Sequence, residues 1–230
     1  MRVLVACEES QTTCKAFRKV GHEAYSCDVQ DCSGGKPEWH IKDDVLKVIN
    51  DSWDMMIAHP PCTYLSKAGA RWLYAGGKLN AERYEQGLKG KEFFMQMMNA
   101  PIKYIAVENP TPMKIFEMPK HTQAIQPYMF GDAYSKRTLL WLKNLPPLYH
   151  NPNVNLFDEV VTHTDNYEPY LPSNVGGKKK GQSYSFGVAR NAKESSKTFQ
   201  GIADAMANQW GCISLCSLFG EKKNENKNCG

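Results

Sequence analysis

Short apolar runs alternate along the chain with amphipathic stretches, and most of the runs stop abruptly at polar or proline-rich ends. Residues 2 to 7 (Arg-Val-Leu-Val-Ala-Cys) read as a first strand, Thr13 to Val20 as the helix after it, and Glu23 to Cys27 as a second strand ending in Asp28. Met55 to Ala58 is a continuous apolar run between Asp54 and the pair Pro60-Pro61. Such a run fits a central parallel strand, buried on both faces, that must end where proline cannot extend the ladder. Tyr104 to Val107 repeats the pattern and delivers Glu108 and Asn109 before Pro110. Asn80 to Asn99 carries a helical period, with Phe93, Phe94, Met97 and Met98 toward the core. A strand over Thr138 to Leu142 and a helix over residues 198 to 210 complete the regular elements. Strands alternating with helices in this way predict an α/β domain with a mostly parallel central sheet and helices on both faces.

Ligands of open α/β sheets gather at the carboxyl ends of the strands, so the residues just past each run are the first candidates for chemistry. Cys62 follows the Met55 strand at the mouth of a polar loop that closes at Gly69, which presents its thiol; a semi-buried packing cysteine is the alternative. Two neighbouring strand ends bring Cys62 and Glu108 to one pocket. A carboxyl group beside a thiol suits chemistry on a ring that needs a nucleophile and a proton. Capping of the following turn is the other use of Glu108-Asn109. Strand, helix, strand and acid form a nucleotide-binding opening, and an acid about 20 positions beyond the first loop takes ribose hydroxyls. Asp28 is therefore a cofactor candidate, with a solvated strand-end acid as its alternative.

Composition agrees with one compact domain. At 230 residues, 42% hydrophobic and 23% charged, the chain can bury a sizeable core without a second domain. The expected catalytic domain covers 1–212, with a reduced insert at about 145–197 and a polar tail over 213–230. A formal net charge of +4 permits a polyanionic partner without demanding one. With no secretory-type leading segment and no run of 18 apolar residues, an intracellular, cytoplasmic protein without a membrane partner is expected. Eight cysteines form no paired framework, and reduced thiols are expected. His59-Pro60-Pro61-Cys62 is similar to the Pro-Cys of zinc deaminases, but Leu65 stands where their second cysteine is required, and no metal is expected.

Pro61-Cys62-Thr63-Tyr64-Leu65-Ser66-Lys67-Ala68-Gly69 keeps register over nine positions with Pro-Cys-Gln-x-Phe-Ser-x-Ala-Gly, the nucleophile motif of DNA cytosine-5 methyltransferases. Glu108-Asn109-Pro110, 46 residues downstream, is similar to the Glu-Asn-Val signature of that family. On these linked motifs the chain resembles a compact, phage-like member. The resemblance implies the Rossmann-like fold of S-adenosylmethionine-dependent methyltransferases. It also implies methyl transfer from S-adenosyl-L-methionine to C5 of a flipped cytosine, most simply in double-stranded DNA. Cys62 would then be the nucleophile and Glu108 the group at N3, with Asn109 and Ser66 shaping the pocket. The implied cofactor site takes Cys7, Glu8, Glu9 and Ser10 from the first loop, Asp28 at the ribose, Asp43 or Asp44 at the adenine ring, Pro60, and Asp204 on the last helix. In the segment similar to the family's Gln-x-Arg-x-Arg, Arg137 is expected in the pocket through a local bulge, with Lys136 as second choice. Arg71 is expected to meet the substrate from the glycine-rich loop after Cys62, which by the resemblance closes over DNA, and the run Lys178, Lys179 and Lys180 is expected along a phosphate backbone; an ordinary basic loop and a solvated lysine run are the alternatives.

Two departures matter. Cys7-Glu8-Glu9-Ser10-Gln11 replaces the family's glycine-rich first loop, so close backbone approach cannot rest on glycine. Carboxylates there suit a cationic sulfonium and amino group, which makes Glu8 or Glu9 the candidate for the amino-acid end and disfavours a dinucleotide. The roughly 50 residues between the last strand and the last helix are too few for the family's usual target-recognition domain, which implies a short or relaxed site. The alternatives are a catalytically degenerate methyltransferase fold that binds DNA or inhibits, a methyltransferase acting on another cytosine atom, and one acting on RNA or a free nucleotide. Oligomeric state is not legible.

Overall fold

The structure, a computed structural model, describes residues 1–132, 136–149 and 197–213. Strands β1 (Arg2–Ala6), β2 (Glu23–Asp28), β3 (His40–Lys42), β4 (Met55–Ala58), β7 (Tyr104–Pro110), β8 (Gln123–Ile125) and β9 (Thr138–Lys143) form one seven-stranded sheet. Its order is β3-β2-β1-β4-β7-β9-β8. The first five strands in that order are parallel, and β9 runs antiparallel to both β7 and β8. The order reverses between β1 and β4, so the carboxyl ends of β1, β4 and β7 surround the topological switch point where such sheets bind ligands. After the one-turn helix α3 (Ala70–Leu73), a separate hairpin pairs β5 (Tyr74–Ala75) with β6 (Lys78–Leu79).

Side-chain alternation sorts the strand residues between two cores. Val3, Val5, Met55, Ile57, Ala106 and Leu140 pack under α1 (Thr12–Lys19) and α5 (Gln200–Trp210). Leu4, Ala6, Met56, Ala58, Ile105 and Val107 pack on the other face, under α2 (Val45–Val48) and α4 (Ala81–Met98). Helices thus cover both faces, which is why the central strands read as unbroken apolar runs. Helix α4 begins where Asn80 accepts a hydrogen bond from the Arg83 amide and ends at Asn99. Its Phe94 meets Trp141 edge-on at 4.9 Å between ring centres.

The predicted elements are present within a residue or two except that β7 runs three residues beyond Val107, through Glu108 and Asn109 to Pro110, because β9 pairs with it that far; β1 stops at Ala6 because Cys7 turns into the left-handed region at φ 58°. Not predicted were β3, β8, the small hairpin, α2 and α3, all of four residues or fewer and too short to carry a period. Most of the proposed insert, the polar tail beyond Ile213, Lys178, Lys179 and Lys180 lie outside the described residues. Among the described residues no helix is long and apolar enough to cross a membrane.

Candidate active site

After Ala58 the chain enters His59-Pro60-Pro61-Cys62, and three groups of contacts hold this turn. The His59 amide donates to the Ala6 carbonyl (2.9 Å), and Asn109 Nδ2 donates to the Pro60 carbonyl (3.0 Å). The Cys62 carbonyl accepts from the Leu65 and Ser66 amides, which curls the loop back. Beyond it, Lys67 N bonds Thr111 O and Met113 N bonds Leu65 O, tying the loop to the extension of β7. From α4, Arg83 reaches the Thr63 carbonyl (3.0 Å). Gly69 is required there, because a Cβ would lie 2.8 Å from Thr63 O. The result is a fixed, half-buried thiol at the end of β4.

Glu108 stands beside it. The parallel pairing of Ala58 with Val107 makes His59 and Glu108 neighbours at adjacent strand ends, and His59 Nδ1 lies 3.2 Å from Glu108 Oε2. The same imidazole is touched by the hydroxyls of Thr198 (3.4 Å) and Thr13 (3.5 Å), so the first helix, the sheet and the segment leading into the last helix converge on it. Burial pushes the Glu108 carboxyl up, but the hydrogen bond and charge of His59, helped by Lys136, more than offset this and hold it below the ordinary value. The Cys62 thiol moves the other way. Burial first, then the Glu108 carboxylate, raise it; Lys136, its own backbone amide and the Ser66 hydroxyl lower it by less. Cys62, Glu108, Lys136 and Ser66 therefore share one electrostatic site.

The first loop keeps the conformation of a glycine-rich turn without glycine. Cys7 and Gln11 both sit in the left-handed region, at φ 58° and 59°, a strain on the order of 1–3 kcal/mol each. Gln11 is wholly buried, and its side-chain amide bonds both the N–H and the carbonyl of Lys36 (3.0 and 2.7 Å). Gly34 packs so closely on this turn that a Cβ would lie 2.5 Å from Ser10 O. Side-chain hydrogen bonding and packing thus enforce here what glycine would otherwise allow.

Glu8 and Glu9 divide their roles. The buried Glu8 carboxylate accepts from the Thr13 and Cys14 amides (2.7 and 3.1 Å) and so closes the amino end of α1. Both its oxygens are engaged as a cap, and it occupies amide donors that a phosphate would need. Glu9 is 8% exposed, and its Oε2 has no hydrogen-bond partner. Asp28 accepts from Gln30 N, Asp44 caps α2 through Leu46 N, and Asp43 is taken up by Lys47 and the Asp44 amide, each at 2.7 Å. Burial first, then Asp28, Cys27 and Asp44, raise the Cys7 thiol, which locates both carboxylates around the end of β1. This acidic edge and the bare oxygen of Glu9 fit a cationic nucleoside such as S-adenosylmethionine.

Arg137 and Asp204 are placed away from the positions expected for them. Arg137 is exposed and lines a hollow that does not include Cys62, so the cation at the Cys62–Glu108 site is Lys136, the second choice of the sequence reading. The paired register of β9 begins only at Thr138 and is continuous from there to Lys143, so the two cations belong to the segment that leads into the strand. Asp204 bonds Gln200 within α5 (3.0 Å) and its charge falls on Asp132; nothing among the described residues links it to the first loop. Arg71 lies on the surface over the ring of Trp72 (4.7 Å). Pro60 acts through its carbonyl, as the acceptor that Asn109 holds. His59 is the group the sequence reading passed over. Its signal, a histidine one step before Pro-Pro-Cys, gains meaning only once β4 and β7 are known to be neighbours in register.

No family model and no curated protein matches the sequence. Among solved structures, a proposed DNA modification methyltransferase encoded within an E. coli prophage superposes at 10% identity and a TM-score of 0.39, over 62% of this chain and 46% of its own. The S. pombe Dnmt2 methyltransferase superposes at 13% identity and a TM-score of 0.40, over 74% of this chain and 59% of its own. The chain thus spans less than two thirds of the length of either. Its strand order, parallel crossovers and antiparallel β9 are those of the Rossmann-like methyltransferase fold.

Proposed function

We propose that this chain is a DNA (cytosine-5-)-methyltransferase, which moves a methyl group from S-adenosyl-L-methionine to C5 of cytosine through a covalent Cys62 adduct. What supports this reading is that adjacent parallel strands β4 and β7 lead into Cys62 and Glu108, with the Glu108 carboxylate raising the thiol and the Lys136 charge acting on both.

C5 of cytosine is a poor nucleophile until C6 is attacked. Cys62 Sγ forms a bond to C6, and the C5–C6 π pair is released toward C5 and the N3 side of the ring. Glu108 delivers a proton to N3 and so neutralises the charge that builds there. In the free protein the thiol holds the proton and Glu108 is the carboxylate, so the proton that Cys62 must lose has its acceptor in the same pocket. Lys136 stabilises the thiolate while this happens, the Ser66 hydroxyl holds the sulfur, and His59 fixes the carboxylate. Asn109 keeps the Pro60-Pro61 turn in place. S-adenosylmethionine, when bound, supplies an electrophilic methyl group. Glu9, Asp28 and Asp44 would hold it, at its amino-acid end, ribose and base respectively. Loss of the C5 proton to solvent water, with return of the C6–S bond pair to Cys62 and of the N3 proton through Glu108 to the thiolate, then restores the aromatic ring and the starting enzyme.

The test is incubation with methyl-labelled S-adenosylmethionine and, in parallel, duplex DNA, single-stranded DNA, RNA and deoxycytidine monophosphate, followed by nucleoside mass spectrometry. 5-Methyldeoxycytidine from DNA is expected, and Cys62→Ser should abolish it while leaving cofactor affinity within about threefold, since the sulfur touches the base and not the donor. Label on N4, or undiminished transfer by Cys62→Ser, would overturn the reading.

A further inference from the structure

Across β9 from the Cys62–Glu108 site lies an open hollow of 340 Å³ that the chemistry above does not use. Lys67, Lys114, Lys120 and Arg137 surround it, with Glu117 as its one carboxylate. All four cations are exposed, and among the described residues none is paired with a carboxylate. Four cations against one carboxylate leave a net positive concave surface, which attracts an anion. Pro119 and Trp141 give the hollow an apolar wall.

Two short covalent links join this hollow to the catalytic site. Lys136 and Arg137 are consecutive: the first acts on Cys62 and Glu108, and the second lines the hollow. Lys67 ends the loop that begins at Cys62, and its amide is fixed to Thr111, another lining residue. Both segments that frame the reacting groups therefore also deliver cations to the hollow.

We infer that this hollow binds backbone phosphates of the nucleic-acid strand whose target base enters beside Cys62. The inference rests on the methyltransferase reading for the identity of the strand, and the juxtaposition of Lys136 with Arg137 carries it. Exposed cations around an open hollow suit a chain that passes through, whereas a buried small ligand would require enclosure. The contacts would be sequence-independent, so they position the strand without selecting a site.

The test is binding of a fluorescent 20-nucleotide strand, single and duplex, to the full chain and to K114E/K120E, across a salt series and without S-adenosylmethionine. Neither lysine belongs to the catalytic machinery. The variant should bind the strand at least tenfold more weakly, with the slope of log affinity against log salt reduced by about 1 to 2. Deoxycytidine monophosphate binding and the thermal midpoint should be unchanged. Equal strand affinity and slope would overturn the inference, as would a parallel loss of mononucleotide binding, which would make the hollow a nucleotide pocket. Because the assay reads binding alone, failure of the methyl-transfer reading shows separately, in the nucleoside analysis of the wild-type protein.

Discussion

Cys62 and Glu108 hold one proton between them, and the direction of each shift says where it rests. The thiol is raised and the carboxyl lowered, so the free protein is thiol and carboxylate, while reaction needs thiolate and acid. Both arrangements contain the same number of protons. Their ratio is therefore independent of pH between the two ionisations. Accordingly kcat/KM should be flat from just above the carboxylate range to beyond the ordinary thiol value, falling at lower pH as Glu108 gains a second proton for the pair and at higher pH as Cys62 loses the only one. A profile that climbs steadily from neutrality to pH 9 would show that thiolate alone limits the rate. Glu108→Gln removes the proton acceptor, and a loss of 10²-fold or more in kcat at an unchanged thermal midpoint is expected. The paired motifs made these two residues legible. His59 was not, because its contact with Glu108 joins residues 49 apart in sequence.

At the scale of elements, the nucleophile loop depends on a small satellite core of Leu65, Leu73, Met113 and Phe116. Helix α4 closes over it only because Gly87 leaves room for Phe116: a Cβ at Gly87 would lie 2.1 Å from Phe116 Cζ, and that ring is buried. Gly90, one turn on, would place a Cβ 3.4 Å from Leu65, an ordinary contact. Alanine gains about 1 kcal/mol of helix propensity at either position. At Gly90 that gain should stand, and Gly90→Ala should be neutral or stabilising. At Gly87 overpacking of about 1–3 kcal/mol outweighs or cancels it, and displacement of Phe116 should disturb the Cys62 loop. Urea midpoints and kcat for the two variants check this, with Gly87→Ala expected to lose activity and Gly90→Ala to keep it. The periodicity of α4 was readable from Asn80 to Asn99, whereas the need for Gly87 was not, since it comes from a ring on another element.

For the whole molecule, buried thiols link stability to alkaline pH. Burial, chiefly, raises Cys27 to about 11 and Cys14 to about 12, on the two opposite faces of the sheet. In the unfolded chain a thiol ionises near about 8.5. The unfolded state therefore sheds these protons first, so the stabilisation is full below about pH 8.5 and is lost progressively as pH rises toward the folded values. Urea midpoints under reducing conditions should fall between pH 8 and 10, and Cys27→Ala should flatten that fall; an unchanged slope would refute the linkage.

The order of strands and helices, the two linked motifs and the acids at strand ends were determined by the sequence itself, because apolar period and proline stops act locally. Only the tertiary structure decided which cation meets Cys62, which first-loop glutamate caps α1 and which keeps a bare oxygen, and that Gln11 and Cys7 take on the role of glycine. Each of these depends on which side a side chain faces and on what a distant segment places there, and long-range packing sets both.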